Sequence, residues 1–166
     1  MKAGQVAAVV VSFSMLSGCA SGPGMLGLKP DGSPGPEPCP KKALDNMRLM
    51  RVHPGDSTII DVDMNKQGQD DITVNDGPIE SFLRDPLGRL LGAGTLLYGK
   101  VWTGGPDVVI RYYRAQPQDM GPPIDICAVA RLSEGQMRKK PCPTPAPGCA
   151  VLPFGIAAVY IVDSFR

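Results

Sequence analysis

The segment GTLLYGKVWTGGPDVVIRYYRA at residues 94–115 decides the fold class. Two runs rich in β-branched and aromatic residues, 94–103 and 107–115, flank the turn sequence GGP at 104–106. Such side chains fit the pleated surface of a sheet, and a Gly-Pro cluster between two such runs is typical of a hairpin. We therefore predict an antiparallel hairpin at the centre of a β-rich domain.

Similar strand-like segments precede and follow this hairpin. Each shows alternating apolar and polar residues, or a short apolar run between turn signals, which is typical of strands. The segment 41–52 differs, because its pattern is typical of a short helix that leads into a strand. Many short strands with Gly- and Pro-rich turns predict a mainly β domain, either a small antiparallel β-sandwich or a partly closed barrel. The other predicted strands cover residues 57–64, 70–74, 78–83, 124–132 and 155–162.

The N-terminus has the layout of an export signal. Lys2 supplies a positive start, residues 6–16 form an apolar run, and small residues follow it. The run is too short for a membrane-spanning helix, which takes roughly 20 apolar residues. We therefore expect residues 1–18 to be a signal peptide that is removed on export.

The end of this signal, Leu16-Ser17-Gly18-Cys19, resembles the lipobox of bacterial lipoproteins. The resemblance implies that the Cys19 thiol receives a diacylglycerol, that signal peptidase II cuts before Cys19, and that the new amino group is acylated. Two or more acyl chains hold a protein firmly on a membrane, whereas one chain binds reversibly. Because Ala20 follows the cysteine instead of an aspartate, the resemblance implies a lipid anchor in the outer membrane of a bacterium with two membranes.

Residues 19–40 are dense in Gly, Pro and Ser, which is typical of a linker that cannot bury enough apolar surface to fold. We expect this segment to be a flexible tether that starts at the lipidated cysteine. About 18 flexible residues would span ~25 Å on average. The folded part is then one β-rich domain at residues 41–166, long enough to bury a sizeable core.

Four cysteines follow the lipobox, an even number that is typical of two disulfides in an exported chain. The hexapeptide PTPAPG between Cys142 and Cys149 is a stiff, turn-forming loop that a disulfide closes at little entropic cost. We therefore favour the pairs Cys142–Cys149 and Cys39–Cys127 among the three pairings that four cysteines allow. A zinc site is the alternative, although no C-x-x-C spacing supports it.

The charge balance argues against one class of partner. The sequence has 17 Lys and Arg against 16 Asp and Glu, and removal of residues 1–18 takes away Lys2 alone. The two totals then become equal, so no basic excess remains to follow a phosphate backbone. We therefore expect no nucleic-acid partner.

Aromatic and arginine side chains concentrate on the hairpin. Tyr98 and Trp102 stand four positions apart, on one side of a strand, and we expect both to lie in the core. Arg111 and Tyr113 stand on the opposite face from their apolar neighbours. Arginine and tyrosine are good contact anchors, and such a face also suits stacking on sugar rings. We therefore predict Arg111 and Tyr113 as a candidate binding face.

The pattern Asp61-x-Asp63-x-Asn65 is the candidate metal site, because alternate oxygen ligands can wrap a calcium ion. Lys66 stands where a calcium loop has glycine, and Ile72 stands where it has the bidentate glutamate. A strand with one wet face produces the same spacing. We therefore favour a half-buried strand whose aspartates face water, and we expect no metal and no other cofactor.

His53 is the only histidine, and it precedes Pro54 and Gly55 in a turn-like context. A histidine near Asp56 has the chemistry of a general base, but no G-x-S-x-G or cysteine–histidine context supplies a nucleophile. We therefore expect that the chain is not an enzyme, and an envelope hydrolase is the least favoured function.

Residues 90–127 also resemble a stretch in small β-rich envelope proteins of myxobacteria, where the motif Gly-Thr-x-Leu-x-Gly precedes a hairpin and a cysteine-bearing strand. That resemblance carries no catalytic residues. With the anchor, it leads us to expect a structural or interaction module of the cell envelope, an assembly or accessory component whose partner is another envelope protein. A glycan- or small-ligand-binding envelope module is the alternative.

Overall fold

The computed structural model describes residues 27–118, 121–132, 135 and 137–166. The predicted signal peptide and the lipobox cysteine Cys19 therefore lie outside the described residues. Within the described ranges the chain forms one helix and eleven strands. The helix α1 is Lys41–Leu49, and the strands are β1 (Glu37–Pro38), β2 (Ser57–Asp61), β3 (Asp70–Asn75), β4 (Gly77–Leu83), β5 (Leu96–Trp102), β6 (Asp107–Gln116), β7 (Ile124–Arg131), β8 (Met137–Arg138), β9 (Cys149–Phe154), β10 (Ile156–Ile161) and β11 (Ser164–Phe165).

Six strands form a closed antiparallel barrel in the order β5-β4-β2-β10-β7-β6, and the pairing of β6 with β5 completes the circle. Closure pairs each of these strands on both sides, which satisfies the backbone groups that an open sheet edge would expose. The mainly β fold predicted from the sequence is confirmed, with complete closure. The predicted hairpin closes this barrel, because β5 and β6 pair from Leu96↔Gln116 to Trp102↔Val109.

Shorter pairings extend the barrel. Strand β8 pairs with the start of β6, and β3 pairs with β9 in a separate two-stranded sheet. Strand β9 is absent from the predicted strands. It pairs with β3 on one side, and on its other side Val151 forms an isolated bridge with Lys140. Among the described strands none continues that bridge along β9, and such an edge tolerates Pro153.

Side chains that alternate along the barrel strands fill the interior. Ile60 of β2 and Ile110 and Tyr112 of β6 are fully buried. The Tyr112 hydroxyl lies 2.7 Å from Ser81 Oγ, and Ser81 donates a hydrogen bond to the Val62 carbonyl at 2.5 Å. The hydroxyls of this cluster are thus satisfied inside the core, where an unpaired one would be costly.

Helix α1 packs its apolar stripe onto β7. Ala43 and Met47, four positions apart, are both buried, and Met47 Sδ accepts the backbone N–H of Cys127 at 3.4 Å. The chain leaves the helix through Arg51, whose φ is 56°. The strand expected at the end of the segment 41–52 is wrong, because Met47 packs as part of the helical stripe.

Residues 27–40, which we call the strap, belong to the folded domain, and this corrects the predicted tether. Strand β1 pairs with β11, and Pro34 is buried. The Cys39 N–H donates to the Asp163 carbonyl at 3.2 Å. These contacts join opposite ends of the sequence, so local composition does not reveal them. Residues 19–26, the rest of the predicted tether, lie outside the described residues.

Candidate functional site

Two disulfides crosslink the domain. Cys39 bonds to Cys127 and Cys142 bonds to Cys149, each with its Cα atoms 6.1 Å apart. The pairing favoured from the sequence is confirmed, and the zinc alternative for these cysteines is wrong. The first bond holds the strap on β7, and the second closes the proline-rich loop before β9.

Arg111 does not lie on an exposed face, which corrects the predicted binding face. It points away from Ile110 and Tyr112, as the alternation predicts, but its side chain is only 1% exposed. The strap covers it, because Arg111 Nη2 donates to the Gly35 carbonyl at 2.9 Å and to the Pro34 carbonyl at 3.5 Å. Arg111 therefore joins the strap to the barrel wall.

Glu37 of the strap supplies the countercharge. Its Oε2 lies 3.6 Å from Arg111 Nη1 and accepts the Tyr113 hydroxyl at 3.2 Å. Burial lowers the pKa of Arg111, although Tyr113 and Glu37 oppose that shift. Burial and the charge of Glu37 raise the pKa of Tyr113 above its ordinary value. Among the described residues, the buried Arg111 Nη1 has no hydrogen-bond partner.

Aromatic rings enclose the same guanidinium. Its Cζ lies 5.6 Å from the centroid of the Trp102 ring and 4.9 Å from that of Phe165. Tyr113 packs on Phe165 with the ring centroids 5.3 Å apart. Trp102 is buried, as expected, whereas Tyr98 is half-buried and donates to a neighbouring side-chain carbonyl. The predicted face is therefore an internal contact between the strap, β6 and β11.

An exposed concave surface adjoins this contact on the outer side of β7. It consists of two neighbouring cavities of 210 and 260 Å³ that share Val129, Arg131 and Arg166. The first lies between the strap and β6, and the second lies against the turn at Pro54 and Gly55. We call the two cavities together the β7 groove. The charged and aromatic lining also includes Lys29, Asp31, Asp107 and Arg111 in the first cavity, and Asp163 and Tyr160 in the second.

Cationic side chains outnumber carboxylates in the first cavity of the β7 groove. Within the described ranges, Lys29, Arg131 and Arg166 make no ion pair. Asp31 already accepts both the N–H and the Oγ–H of Ser33, at 2.9 and 2.6 Å. Those hydrogen bonds lower the pKa of Asp31, which favours its ionised form in this turn of the strap. The cavity therefore suits a negatively charged group.

The strand register explains why the β7 groove is absent from the sequence-based candidates. Tyr160 of β10 lies opposite Val129 of β7, and Ala158 lies opposite Arg131, so these side chains share one face. Alternation along residues 124–132 already places Val129 and Arg131 together. Which strand lies beside them depends on long-range pairing.

The candidate calcium residues form a turn with its own internal partners. Asp61 is 3% exposed, accepts the Gly68 N–H at 3.2 Å and lies 3.5 Å from Arg84 Nε. Asp63 lies 3.0 Å from Lys66 Nζ and accepts the Asn65 N–H at 2.9 Å. The expectation that Asp61 faces water is wrong, because β2 ends there and the chain folds over it.

The electrostatics of this turn are local. Desolvation opposes ionisation of Asp63, but the Asn65 N–H and the Lys66 ammonium outweigh it and lower the pKa of Asp63. His53 is exposed, and its backbone N–H donates a hydrogen bond to the Asp56 carboxylate at 2.8 Å, as in an ordinary turn. In the part of the chain that the structure describes, no group of three or more His, Cys, Asp or Glu residues is placed to hold a metal ion.

Comparison with known proteins adds no family. No family model matches the chain, and neither the curated proteins nor the solved structures returned a match. Among the described residues, no helix has the length and apolar character needed to cross a membrane.

Proposed function

We propose that this chain is a lipid-anchored protein of the bacterial cell envelope whose barrel serves as an interaction module, a structural or assembly component that contacts another envelope protein. The lipobox-like sequence at residues 16–19 supports the anchor. The disulfides Cys39–Cys127 and Cys142–Cys149 support export, because such bonds form and persist in oxidising compartments.

The strap is the observation that carries this proposal. Gly27, the first described residue, stands eight positions after Cys19, so the chain between them reaches at most ~28 Å when fully extended. From there the strap is held by β1–β11 pairing and by the Cys39–Cys127 bond. An anchored chain of this design holds the barrel close to the membrane, in a restricted orientation, which suits a component that presents one face to a partner.

The first test is the intact mass of the protein extracted from native membranes, with and without reduction. We expect residues 19–166 plus acyl groups, less the four hydrogens lost in two disulfides. A Cys19→Ser variant should lose the acyl groups and leave the membrane fraction. An unlipidated mass that starts at Met1 would overturn the anchor, and the barrel would then need a different cellular context.

The partner is tested by photo-crosslinking in intact cells. A photoreactive residue at Tyr160, in the β7 groove, should give a discrete adduct with an envelope protein. The same residue at Phe154, which is exposed on β9 outside the groove, is the matched control. Equal adducts at both positions, or adducts at neither, would contradict an interaction face at the groove.

A second candidate is a glycan- or small-ligand-binding envelope module. The β7 groove favours it, because its second cavity is lined by Tyr160 together with Arg131 and Arg166. Aromatic rings and guanidinium groups together are suited to polar, ring-bearing ligands. Binding of purified cell-wall fragments that is lost in a Tyr160→Ala variant would support this candidate over a protein partner.

A further inference from the structure

We propose that the first cavity of the β7 groove binds a phosphate group, carried either by a lipid headgroup or by a soluble phosphate ester. The lipid source rests on the anchoring proposed above, whereas the site itself does not. Of the two residues of the predicted binding face, Arg111 lines this cavity and Tyr113 is not among its lining residues; the cavity is formed by the strap, β6 and β7 together.

The charges that line the cavity come from three parts of the chain. Lys29 belongs to the strap, Arg131 ends β7, and Arg166 follows β11. Arginine presents a planar fork of donors that matches phosphate oxygens, and lysine adds a compact point charge. Three cations from separate elements around one cavity suit an anion with several acceptor oxygens better than a single carboxylate.

Two further groups shape the electrostatics of the cavity. Arg111 also lines it, so a fourth cation lies beneath the exposed ones, although Glu37 balances part of its charge. The carboxylates in the lining are Asp31 and Asp107. The four cations outnumber these two carboxylates, so positive charge remains in excess in the lining.

The dimensions fit a phosphate with a small attached group. A water molecule takes up about 30 Å³ in the liquid, so a cavity of 210 Å³ has room for a phosphate and several further atoms. The adjoining cavity of 260 Å³ shares Arg131 and Arg166 and is also lined by Tyr160 and Asp163, so it has room for the remainder of such a ligand.

The position of the cavity relative to the proposed anchor favours a lipid headgroup as one source. Lys29 stands ten positions after Cys19, so an extended chain reaches at most ~35 Å from the lipidated cysteine. The headgroup phosphates of the same membrane therefore lie within reach of the first cavity.

The test is calorimetric titration of the full-length protein, purified in an uncharged detergent. The probes are inorganic phosphate, glycerol 3-phosphate, acetate, and glycerophosphoglycerol, which is the phosphatidylglycerol headgroup without its acyl chains. We expect phosphate compounds to bind and acetate not to bind. Tighter binding of glycerophosphoglycerol identifies a lipid headgroup as the source, and tighter binding of glycerol 3-phosphate identifies a soluble ester.

Matched variants assign the binding to the cavity. Arg131→Gln should weaken phosphate binding by about tenfold or more, because a hydrogen bond to a charged group contributes about 1.5–3 kcal/mol. Arg89→Gln removes the same charge from an exposed residue outside the groove and should leave binding unchanged. Thermal unfolding of each variant verifies the fold.

Three results would overturn the proposal: no phosphate compound binds, acetate binds as tightly as phosphate, or Arg131→Gln and Arg89→Gln behave alike. Because the titration takes place in detergent, it is independent of the intact-mass test of the anchor. A protein that is lipidated but does not bind phosphate keeps the proposed envelope function and loses only this site.

Discussion

Arg111 shows how a single buried charge organises two parts of this molecule. Burying a guanidinium is costly unless its charge and its donors are met. Here the guanidinium donates a hydrogen bond to the Gly35 carbonyl and lies near the Glu37 carboxylate. The rings of Trp102 and Phe165 also lie against it. Most of these groups lie in the strap or in β11, so Arg111 meets them only when both are docked on the barrel, and even then its buried Nη1 lacks a hydrogen-bond partner among the described residues.

Replacing Arg111 by methionine should therefore loosen the strap. We expect Arg111→Met to lower the free energy of unfolding by about 2–3 kcal/mol, because hydrogen bonds to a charged group are lost and Glu37 loses its cation. Urea unfolding, followed by fluorescence of Trp102, the only tryptophan, measures the change.

Arg114→Met is the matched control for that change. Arg114 is exposed on the same strand, with its guanidinium 5.5 Å from the Tyr98 ring. Surface substitutions of this kind usually change stability by no more than about 0.5 kcal/mol. An equal decrease in the free energy of unfolding in both variants would show that Arg111 does not couple the strap to the barrel.

Tyr112, which is fully buried, and Tyr113, which is half-buried, should make the domain sensitive to alkali. Burial raises the pKa of Tyr112 and of Tyr113, so both folded-state values lie above the unfolded value of about 10. Their contribution to stability is fully present below pH ~10 and is lost as the pH rises through the folded-state values. Absorbance of phenolate in the native protein should show a late-titrating component that is absent in urea.

Single variants assign that component. Tyr113→Phe and Tyr112→Phe should each remove part of the late-titrating absorbance, because each removes one hydroxyl whose pKa is raised in the folded protein. Identical titration curves for the native and the unfolded chain would contradict the raised pKa values of these two groups.

The β5–β6 hairpin is the element on which barrel closure depends. Its register shifts between Tyr98 and Gly99, because Tyr113 is an extra residue on β6 there, and such a bulge bends the strand that carries it. A Cβ atom built on Gly99 would lie 2.5 Å from the Arg111 carbonyl oxygen and 2.7 Å from Tyr112 Cδ1. Both obstacles belong to the neighbouring strand, and the nearer one is backbone.

We therefore expect Gly99→Ala to destabilise the barrel by about 1–3 kcal/mol, as overpacked sites do. Gly92→Ala is the control, because a Cβ atom there would meet nothing within 4 Å. Thermal unfolding of both variants measures the difference. Equal melting temperatures would show that the two strands separate at little cost.

At the scale of the whole molecule, the two disulfides close chain loops of very different length. Cys39 and Cys127 are 88 positions apart, whereas Cys142 and Cys149 are 7 apart. In the chain-entropy model the longer crosslink contributes about 4.5 kcal/mol and the shorter one about 2.4 kcal/mol. Domains of ordinary size have only about 5–15 kcal/mol of stability, so the loss of both bonds should leave this one marginal.

Stability measurements can separate these contributions. We expect Cys39→Ser with Cys127→Ser to lower the urea midpoint more than Cys142→Ser with Cys149→Ser, because the longer crosslink restricts the unfolded chain more. Adding a reductant to the natural protein should reproduce the sum of the two effects. A larger drop in the urea midpoint for the Cys142→Ser and Cys149→Ser variant would show that this disulfide stabilises β9 by more than the entropy of closing its loop.

Local sequence patterns account for all six barrel strands of this protein. Alternation and turn residues predict β2, β4, β5, β6, β7 and β10, and also β3 outside the barrel, since each of these strands carries its own signal. The spacing and the proline-rich loop also indicate the disulfide at Cys142–Cys149. Arg111 and Tyr113 are assigned to the correct side of β6 for the same reason: alternation depends only on neighbouring residues.

The remaining features depend on which distant segments meet. The strap resembles a linker in composition, and it folds because β11, Cys127 and Arg111 supply partners from the other end of the chain. That docking buries Arg111, engages the Tyr113 hydroxyl, and forms one wall of the β7 groove. The secondary structure of a segment, and the side of a strand on which a residue lies, follow from interactions between residues close in the sequence. Burial and concave surfaces follow from long-range packing, which only the folded structure contains.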